Sequence, residues 1–316
     1  MHGGGRKCLF ALALLLSGCG GGSSADGDRP VTLALDFQPN AVHAGVFATV
    51  RERLDRDHDL KLDVRAPSAS TDSLKLLLSG RADASIVDIH DLGLARERGE
   101  DVVGVGAIVQ RPLAAVIARG GVRRPRDLEG RRVGVTGLPS DEAVLRAVVE
   151  HDGGDLSKVK RTTIGFSAVP SLVAGKVDAV VTFWNAEGVA LRERGVRTRE
   201  FRVDDFGAPR YPELVVAVRR ETLRRDRGLV RDLLAALADG TSAALADERT
   251  AVREIAGESG ADETLVTAQL RAVAPALSPP LSLDPGELRR WARFDERFGI
   301  LRKAPSVERA FDARLR

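Results

Sequence analysis

The chain has 316 residues, a formal net charge of +3, and 43% hydrophobic against 29% charged residues. That length suits two lobes better than one core, and that composition excludes a disordered chain. The arginines are interspersed with carboxylates and form no basic stripe, which argues against a nucleic-acid partner.

Arg6 and Lys7 precede the apolar run Leu9–Leu16, and Ser17, Gly18 and Cys19 follow. A charged start, a short apolar run and small residues make a secretory leader, too short for a lasting membrane anchor. Leu16-Ser17-Gly18-Cys19 resembles a bacterial lipoprotein signal. It predicts removal of residues 1–18 and lipidation of Cys19; a plain secretory leader is the alternative. Loss of the leader takes the net charge to +1. Residues 19–29 are rich in Gly and Ser and read as a flexible tether. Cys8 leaves with the leader, so the folded body keeps no cysteine for a disulfide, a nucleophile or a metal site. The expected location is outside the cytoplasmic membrane, held on it by lipid.

Along the body, strand and helix alternate. Strands are predicted at 31–37, 60–66, 84–87, 102–110 and 114–119. Helices are predicted at 41–54, from an N-cap at Ser70 through Leu78, and at 88–98. The pattern restarts with strands at 132–135, 161–166, 179–183 and 213–218. Its helices fall at 141–151 behind Ser140, at 169–174 and at 186–194. After Thr222 the chain reads as helical, at 229–246, 251–257, 263–273 and 287–298. Such alternation points to parallel α/β sheets.

A weak repeat sharpens this. Gly80-Arg81-Ala82-Asp83-Ala84 matches Gly175-Lys176-Val177-Asp178-Ala179 at an offset of 95, and loop 36–40 matches loop 136–140 at an offset of 100. Two similar α/β units therefore follow each other. Ligands bind at the carboxyl ends of parallel strands, which places loops 36–40, 88–91, 136–140 and 183–187 around a cleft.

Those loops carry Asp36, Phe37, Asn40, His43, Asp88, Phe183, Trp184, Asn185 and Glu187. Aromatics are only 4% of the chain, so Phe183-Trp184 beside Asn185 and Glu187 suits a flat heteroaromatic ligand. The ring would stack on Trp184, with carboxylates accepting from ring amines. Each residue has a plainer role too. Asp36 can cap a turn, Asn40 can cap a helix, and Asp88 and Asp91 can answer a helix dipole. Asp88, His90 and Asp91 sit too close together for a closed metal site. No G-x-S-x-G, phosphate loop, H-E-x-x-H or dinucleotide fingerprint occurs, so no catalytic residue, metal or cofactor is expected.

Leu35-Asp36-Phe37-Gln38-Pro39-Asn40-Ala41-Val42-His43-Ala44-Gly45 resembles the L-D-W-x-P-N-x-x-H-x-G opening of the thiamine-pyrimidine-precursor binding family. Pro125–Val135, Gly153–Val159, Val169–Leu172, Gly175–Ala179, Trp184–Val189 and Asp205–Pro209 are similar to the same family, in order. The resemblance implies a bilobed, type II periplasmic-binding-protein-like α/β fold with a two-segment hinge near 114–119 and 213–218. Lobe 1 would be 30–116 plus 218–316, and lobe 2 would be 117–217. It implies an ABC permease as partner, a monomeric binder, and a formylated aminopyrimidine or similar precursor as ligand. Tyr211 joins the implied site. Some relatives are thought to take riboflavin, and some are pyrimidine synthases with a cysteine-rich run that this body lacks. Phe37 stands where the family has tryptophan, and Asp88 where relatives often show an aromatic.

Overall fold

The computed structural model describes residues 1–2, 28–69 and 72–315. The leader, Cys19, most of the tether and the expected cap Ser70 lie outside the described residues. Among the described residues, no helix is long and apolar enough to cross a membrane.

Among the described residues, ten strands form two sheets. They are β1 (Arg29–Ala34), β2 (Leu60–Arg65), β3 (Ala84–Asp88), β4 (Val102–Ala107), β5 (Ala114–Arg119), β6 (Arg132–Val135), β7 (Lys160–Thr163), β8 (Ala179–Phe183), β9 (Thr198–Arg202) and β10 (Leu214–Arg219). The first sheet runs β2-β1-β3-β10-β4 and the second runs β7-β6-β8-β5-β9. The sheets are mixed, not wholly parallel. β10 lies antiparallel to β3 and β4, and β5 lies antiparallel to β8 and β9. The cause is the route of the chain: it leaves the first sheet at 108–113 to build β5, and returns through 203–213 to build β10. The divisions expected at 116/117 and 217/218 fall inside these strands. β9 escapes sequence reading because Phe201 is its one buried residue among charged neighbours.

The helices are α1 (Ala44–Arg51), α2 (Asp72–Leu78), α3 (Ile89–Glu97), α4 (Pro139–His151), α5 (Ala168–Val173), α6 (Val189–Glu193), α7 (Arg220–Arg225), α8 (Arg227–Ala246), α9 (Glu248–Ser259), α10 (Glu263–Val273), α11 (Pro285–Arg297) and α12 (Val307–Ala310). Ser140 is not the cap of α4. Pro139 opens the helix, where a missing N–H costs nothing, so Ser140 falls in the first turn.

The internal repeat is a repeat of hydrogen bonds. Asp83 accepts from the Thr32 N–H at 2.9 Å, and Asp178 accepts from the Arg132 N–H at 2.9 Å. Each aspartate thereby pins the start of its strand to the strand beside it. Gly80 and Gly175 turn the chain just before, both at φ near +70° (73° and 70°), which favours glycine. Arg219 at the end of β10 lies over Gly80, and Arg119 at the end of β5 lies over Gly175.

Helices α1 and α8 cross at close range on the first sheet. Thr49 donates to the Gly45 carbonyl at 2.7 Å and to the Ala236 carbonyl at 3.1 Å. A Cβ on Gly240 would fall against the Gly45 carbonyl oxygen and 2.8 Å from the Thr49 nitrogen. Backbone cannot yield as a side-chain tip can. Gly240→Ala is therefore expected to cost about 1–3 kcal/mol of stability despite alanine's better helix propensity. Urea denaturation measures this, and an unchanged or raised midpoint would refute the close crossing.

Candidate functional site

The carboxyl ends of β1, β3, β6 and β8 open onto one cavity of about 300 Å³ between the two sheets. The first sheet's elements contribute Asp36, Phe37, Asn40, Leu74, Lys75, Leu78, Asp88 and Asp91. The second sheet's contribute Thr136, Leu138, Ser140, Asp141, Val144, Thr182, Phe183 and Glu187. Six of the residues expected from sequence therefore meet there: Asp36, Phe37, Asn40, Asp88, Phe183 and Glu187.

His43 stands behind this wall. It is fully buried, its Nδ1 accepts from the Asn40 N–H at 3.2 Å, and its Nε2–H donates to Asp36 Oδ1 at 2.8 Å. Those roles select one tautomer and aim the Asp36 carboxylate. Asn40 caps the turn that follows, accepting from the Val42 N–H at 3.0 Å. Phe37 meets Phe166 edge-on, with centroids 4.4 Å apart, so an aromatic contact joins the two lobes. Phe166 does not itself line the cavity, and it supports Phe37 from behind the wall. It follows β7 at a carboxyl strand end, which is the one signal that marks it.

Trp184 does not line the cavity. It is 4% exposed, its Nε1–H donates to the Pro112 carbonyl at 3.2 Å, and the Arg202 guanidinium lies 4.1 Å from its ring. Arg111 stands 5.6 Å off the same ring. The chain's own cations occupy the π face expected to hold a ligand, because the π-turn Trp184–Gly188 sends the indole toward the crossing segment. The same turn leaves Glu187 on the cavity side. Burial raises the Glu187 carboxyl, against a hydrogen bond from the Thr182 hydroxyl, and the Asp36 charge raises it further.

Asn185 is fully buried, and neither its amide oxygen nor its nitrogen finds a partner among the described residues. It is not part of the cavity wall. Tyr211 is also buried away from it. The tyrosine hydroxyl accepts from His90 Nε2–H at 3.1 Å, and its ring packs on Phe294.

His90 anchors the acidic side. Its Nδ1–H donates to Asp295 at 2.7 Å in a fully buried pair. Burial alone would lower its pKa, but the charges of Asp295, Asp88 and Glu213 outweigh that and push it up to about 10. Asp88 caps α3 by accepting from the His90 N–H at 2.7 Å. Burial pushes Asp88 up to about 7 against the His90 charge. Asp91 is raised well above the carboxylate range by burial and then by the Asp88 charge. Asp141 accepts from the Gly137 N–H at 2.8 Å, the Leu138 N–H at 3.0 Å and the Thr136 hydroxyl at 2.9 Å, yet burial still raises it to about 6. Sequence reading gives Asp91 a plainer role at a helix start and does not single out Asp141.

Two sheets of matching order, two crossings and one cavity between facing strand ends define the class. This is a bilobed, periplasmic-binding-protein-like fold. The alkanesulfonate-binding protein SsuA from Xanthomonas axonopodis pv. citri superposes with a TM-score of 0.74 at 18% identity, over 91% of this chain and 99% of that one. The sequence model of the NMT1/THI5-like family matches residues 40–251, and the chain belongs to that family. The formylaminopyrimidine-binding protein of Halalkalibacterium halodurans is 33% identical over 213 residues, covering 66% of this chain and 64% of that relative. A 4-amino-5-hydroxymethyl-2-methylpyrimidine phosphate synthase of Saccharomyces cerevisiae is 23% identical, over 71% of this chain and 69% of that relative.

The buried acids set the direction of the pH response. Asp88, Asp141 and Glu213 bind protons more tightly folded than unfolded, with native values of about 7, 6 and 7. Their stabilisation is complete below the unfolded carboxylate range near pH 4 and is lost as pH rises through the native values. His90 acts in the same sense higher up, losing its contribution as pH rises through about 10. The melting temperature is expected to fall from pH 5 to pH 8. Asp88→Asn keeps the helix cap and should flatten that fall, with a gain of about 1–3 kcal/mol at pH 8. A thermal denaturation series across pH tests this; a melting temperature that rises over the same range would refute it.

Proposed function

We propose that the protein is the extracytoplasmic solute-binding component of an ABC importer, and that it binds an aminopyrimidine precursor of thiamine of the formylaminopyrimidine or hydroxymethylpyrimidine kind. The observation that carries this reading is the pairing of Asp36 and Glu187 with Phe37 and Phe183 on one cavity wall. A flat aminopyrimidine needs an apolar slot for its ring and an acceptor for its exocyclic amine, and this set supplies both. Family membership and the printed name of the 33% identical relative support the same ligand class. A cavity of about 300 Å³ stands at the small end of ligand pockets, which favours one ring over a fused three-ring flavin.

In this reading the lobes turn about segments 108–113 and 203–213 and close on the ligand, and a membrane permease engages the closed form. The protein acts as a monomer and binds its ligand without transforming it. The cysteine-rich run that the family resemblance implies for its synthases has no counterpart in residues 30–316, which hold no cysteine. Cys19 is the lipidated terminus, and the Gly/Ser-rich stretch after it gives the folded lobes reach from the membrane.

Calorimetric titration with formylaminopyrimidine tests the ligand. Glu187→Gln is expected to weaken binding about tenfold or more, since a buried hydrogen bond to a charged acceptor is worth roughly 1.5–3 kcal/mol. Phe37→Ala should weaken it as well, through lost ring contact. Wild-type affinity in Glu187→Gln would remove the carboxylate from the site. The anchor has its own test. Cys19→Ala should move the protein from the membrane fraction to the soluble fraction, and unchanged membrane attachment would overturn the lipid assignment.

A further inference from the structure

The cavity does not end at the strand ends. Beyond them three helices supply its wall, and on each the wall residues recur at helical spacing. They are Leu74 and Leu78 on α2, Asp91 on α3 with Arg98 at its C-cap, and Ser140 and Val144 on α4. Separations of four and seven residues put each pair on one helix face. At a rise of about 1.5 Å per residue, four residues span about 6 Å and seven about 10 Å. Helices α3 and α4 start at carboxyl strand ends, after β3 and β6, and lead away from them. The cavity therefore continues past its floor as a sleeve, between α2 and α3 beside the first sheet and α4 beside the second.

The chemistry of the wall changes along this sleeve. At the floor stand Asp36, Thr182 and Glu187. At the helix starts Asp91 and Ser140 face each other, with the serine hydroxyl 3.4 Å from the carboxylate. One turn further the wall is Leu78 and Val144, and Arg98 stands exposed at the outer end. Val144 is buried in one core with Leu77, Val87 and Val181. Leu74 and Leu78 are half-buried at the edge of that core. Leu77 already fills the core from α2, so Leu78 is left to the cavity. A polar band is thus followed by an apolar stretch that opens to solvent.

We propose that this sleeve seats an unbranched acyl chain of about four to six carbons, carried through an amide on the side arm of the heterocyclic ligand. The inference rests on the pyrimidine reading above, in which Asp36 and Glu187 take the ring's amino group. A ring with a one-carbon arm occupies the floor and leaves Leu78 and Val144 facing water. An amide on that arm falls level with Asp91 and Ser140, a carboxyl to accept from its N–H and a hydroxyl to donate to its carbonyl. The chain then lies against Leu74, Leu78 and Val144. Its end meets the methylene stem of Arg98, which covers apolar surface while the guanidinium stays in water. Leu78 and Val144 belong to helices beside different sheets, so a chain between them adds apolar contact to both and favours their closed arrangement. A hydroxymethyl arm brings neither amide nor chain.

Titration calorimetry on the whole purified protein at pH 7 tests the sleeve. The probes are 4-amino-2-methylpyrimidines with formylaminomethyl, butanoylaminomethyl or hexanoylaminomethyl arms at position 5. Each methylene buried is worth about threefold in affinity, so the butanoyl compound is expected to bind at least about tenfold more tightly than the formyl compound. Leu78→Asn should cut that gain to about threefold or less, while leaving formyl affinity within about threefold of wild type. Leu78→Phe stands in if Leu78→Asn fails to fold. It narrows the sleeve, and should weaken the hexanoyl compound about tenfold while sparing the formyl compound. Formyl binding equal to or tighter than butanoyl binding in wild type would overturn the sleeve and leave the pyrimidine reading intact. So would a folded Leu78→Asn or Leu78→Phe variant that keeps the full gain for the longer arms. Binding of none of the three would overturn the pyrimidine reading, and the sleeve with it.

Discussion

Each sheet is completed by a strand that the chain delivers from the other sheet, and the buried carboxylate of Glu213 holds the two deliveries together. Glu213 ends the returning segment. It accepts from the Leu113 N–H of the outgoing segment at 2.7 Å, while its own N–H donates to the Val109 carbonyl at 3.1 Å. Its carbonyl accepts from the Ile89 N–H at the start of α3. One residue thus ties both crossings to the helix that carries Asp88 and Asp91. Because the crossings fix which strand ends face each other, every cavity residue depends on them. The other carboxylate oxygen, Oε1, is buried without a partner among the described residues, and burial pushes the group up to about 7. A buried, partly satisfied carboxyl is a costly way to join two segments, and such costs concentrate where structure serves function.

The aromatic residues divide their labour by position along short stretches of chain. Phe183 and Trp184 are neighbours in sequence, yet one faces the cavity and the other clamps the outgoing crossing segment through Pro112, Arg111 and Arg202. The cavity wall takes the smaller rings Phe37 and Phe183. The indole instead couples the wall of the second lobe to the segments about which the lobes would turn.

Electrostatics follow the same economy. Exposed ion pairs such as Arg146–Glu142 cover the surface and contribute little. The large upward shifts fall at the starts of α3 and α4 and on the returning crossing segment. His90 is the single buried cation of that group, set against Asp295, Asp88, Asp91 and Glu213. Carboxyls raised in this way cost stability at neutral pH.

Local sequence determined a good part of this protein. Period and turn chemistry located nine of the ten strands, because buried strands such as Ala84–Asp88 and Ala179–Phe183 are apolar runs bounded by turns. The Gly-x-x-Asp repeat marked two equivalent units, because a φ near +70° favours glycine and the strand start needs an acceptor. Strand-end loops located Asp36, Phe37, Asn40, Asp88, Phe183 and Glu187, since ligands gather at carboxyl ends. Only the tertiary structure decided the rest. Whether Trp184 met a ligand or an arginine depended on Arg202, which stands 18 residues later on an edge strand that charge had concealed. His43, Asn185 and Tyr211 were chemically suited to a site, but burial behind the wall gave them internal roles or none. Asp91 and Asp141 became cavity residues through an approach between α3 and α4 that joins positions 50 apart in the chain. Spacing along one strand or helix is written in the sequence; the meeting of two loops from separate sheets is set by how those sheets cross.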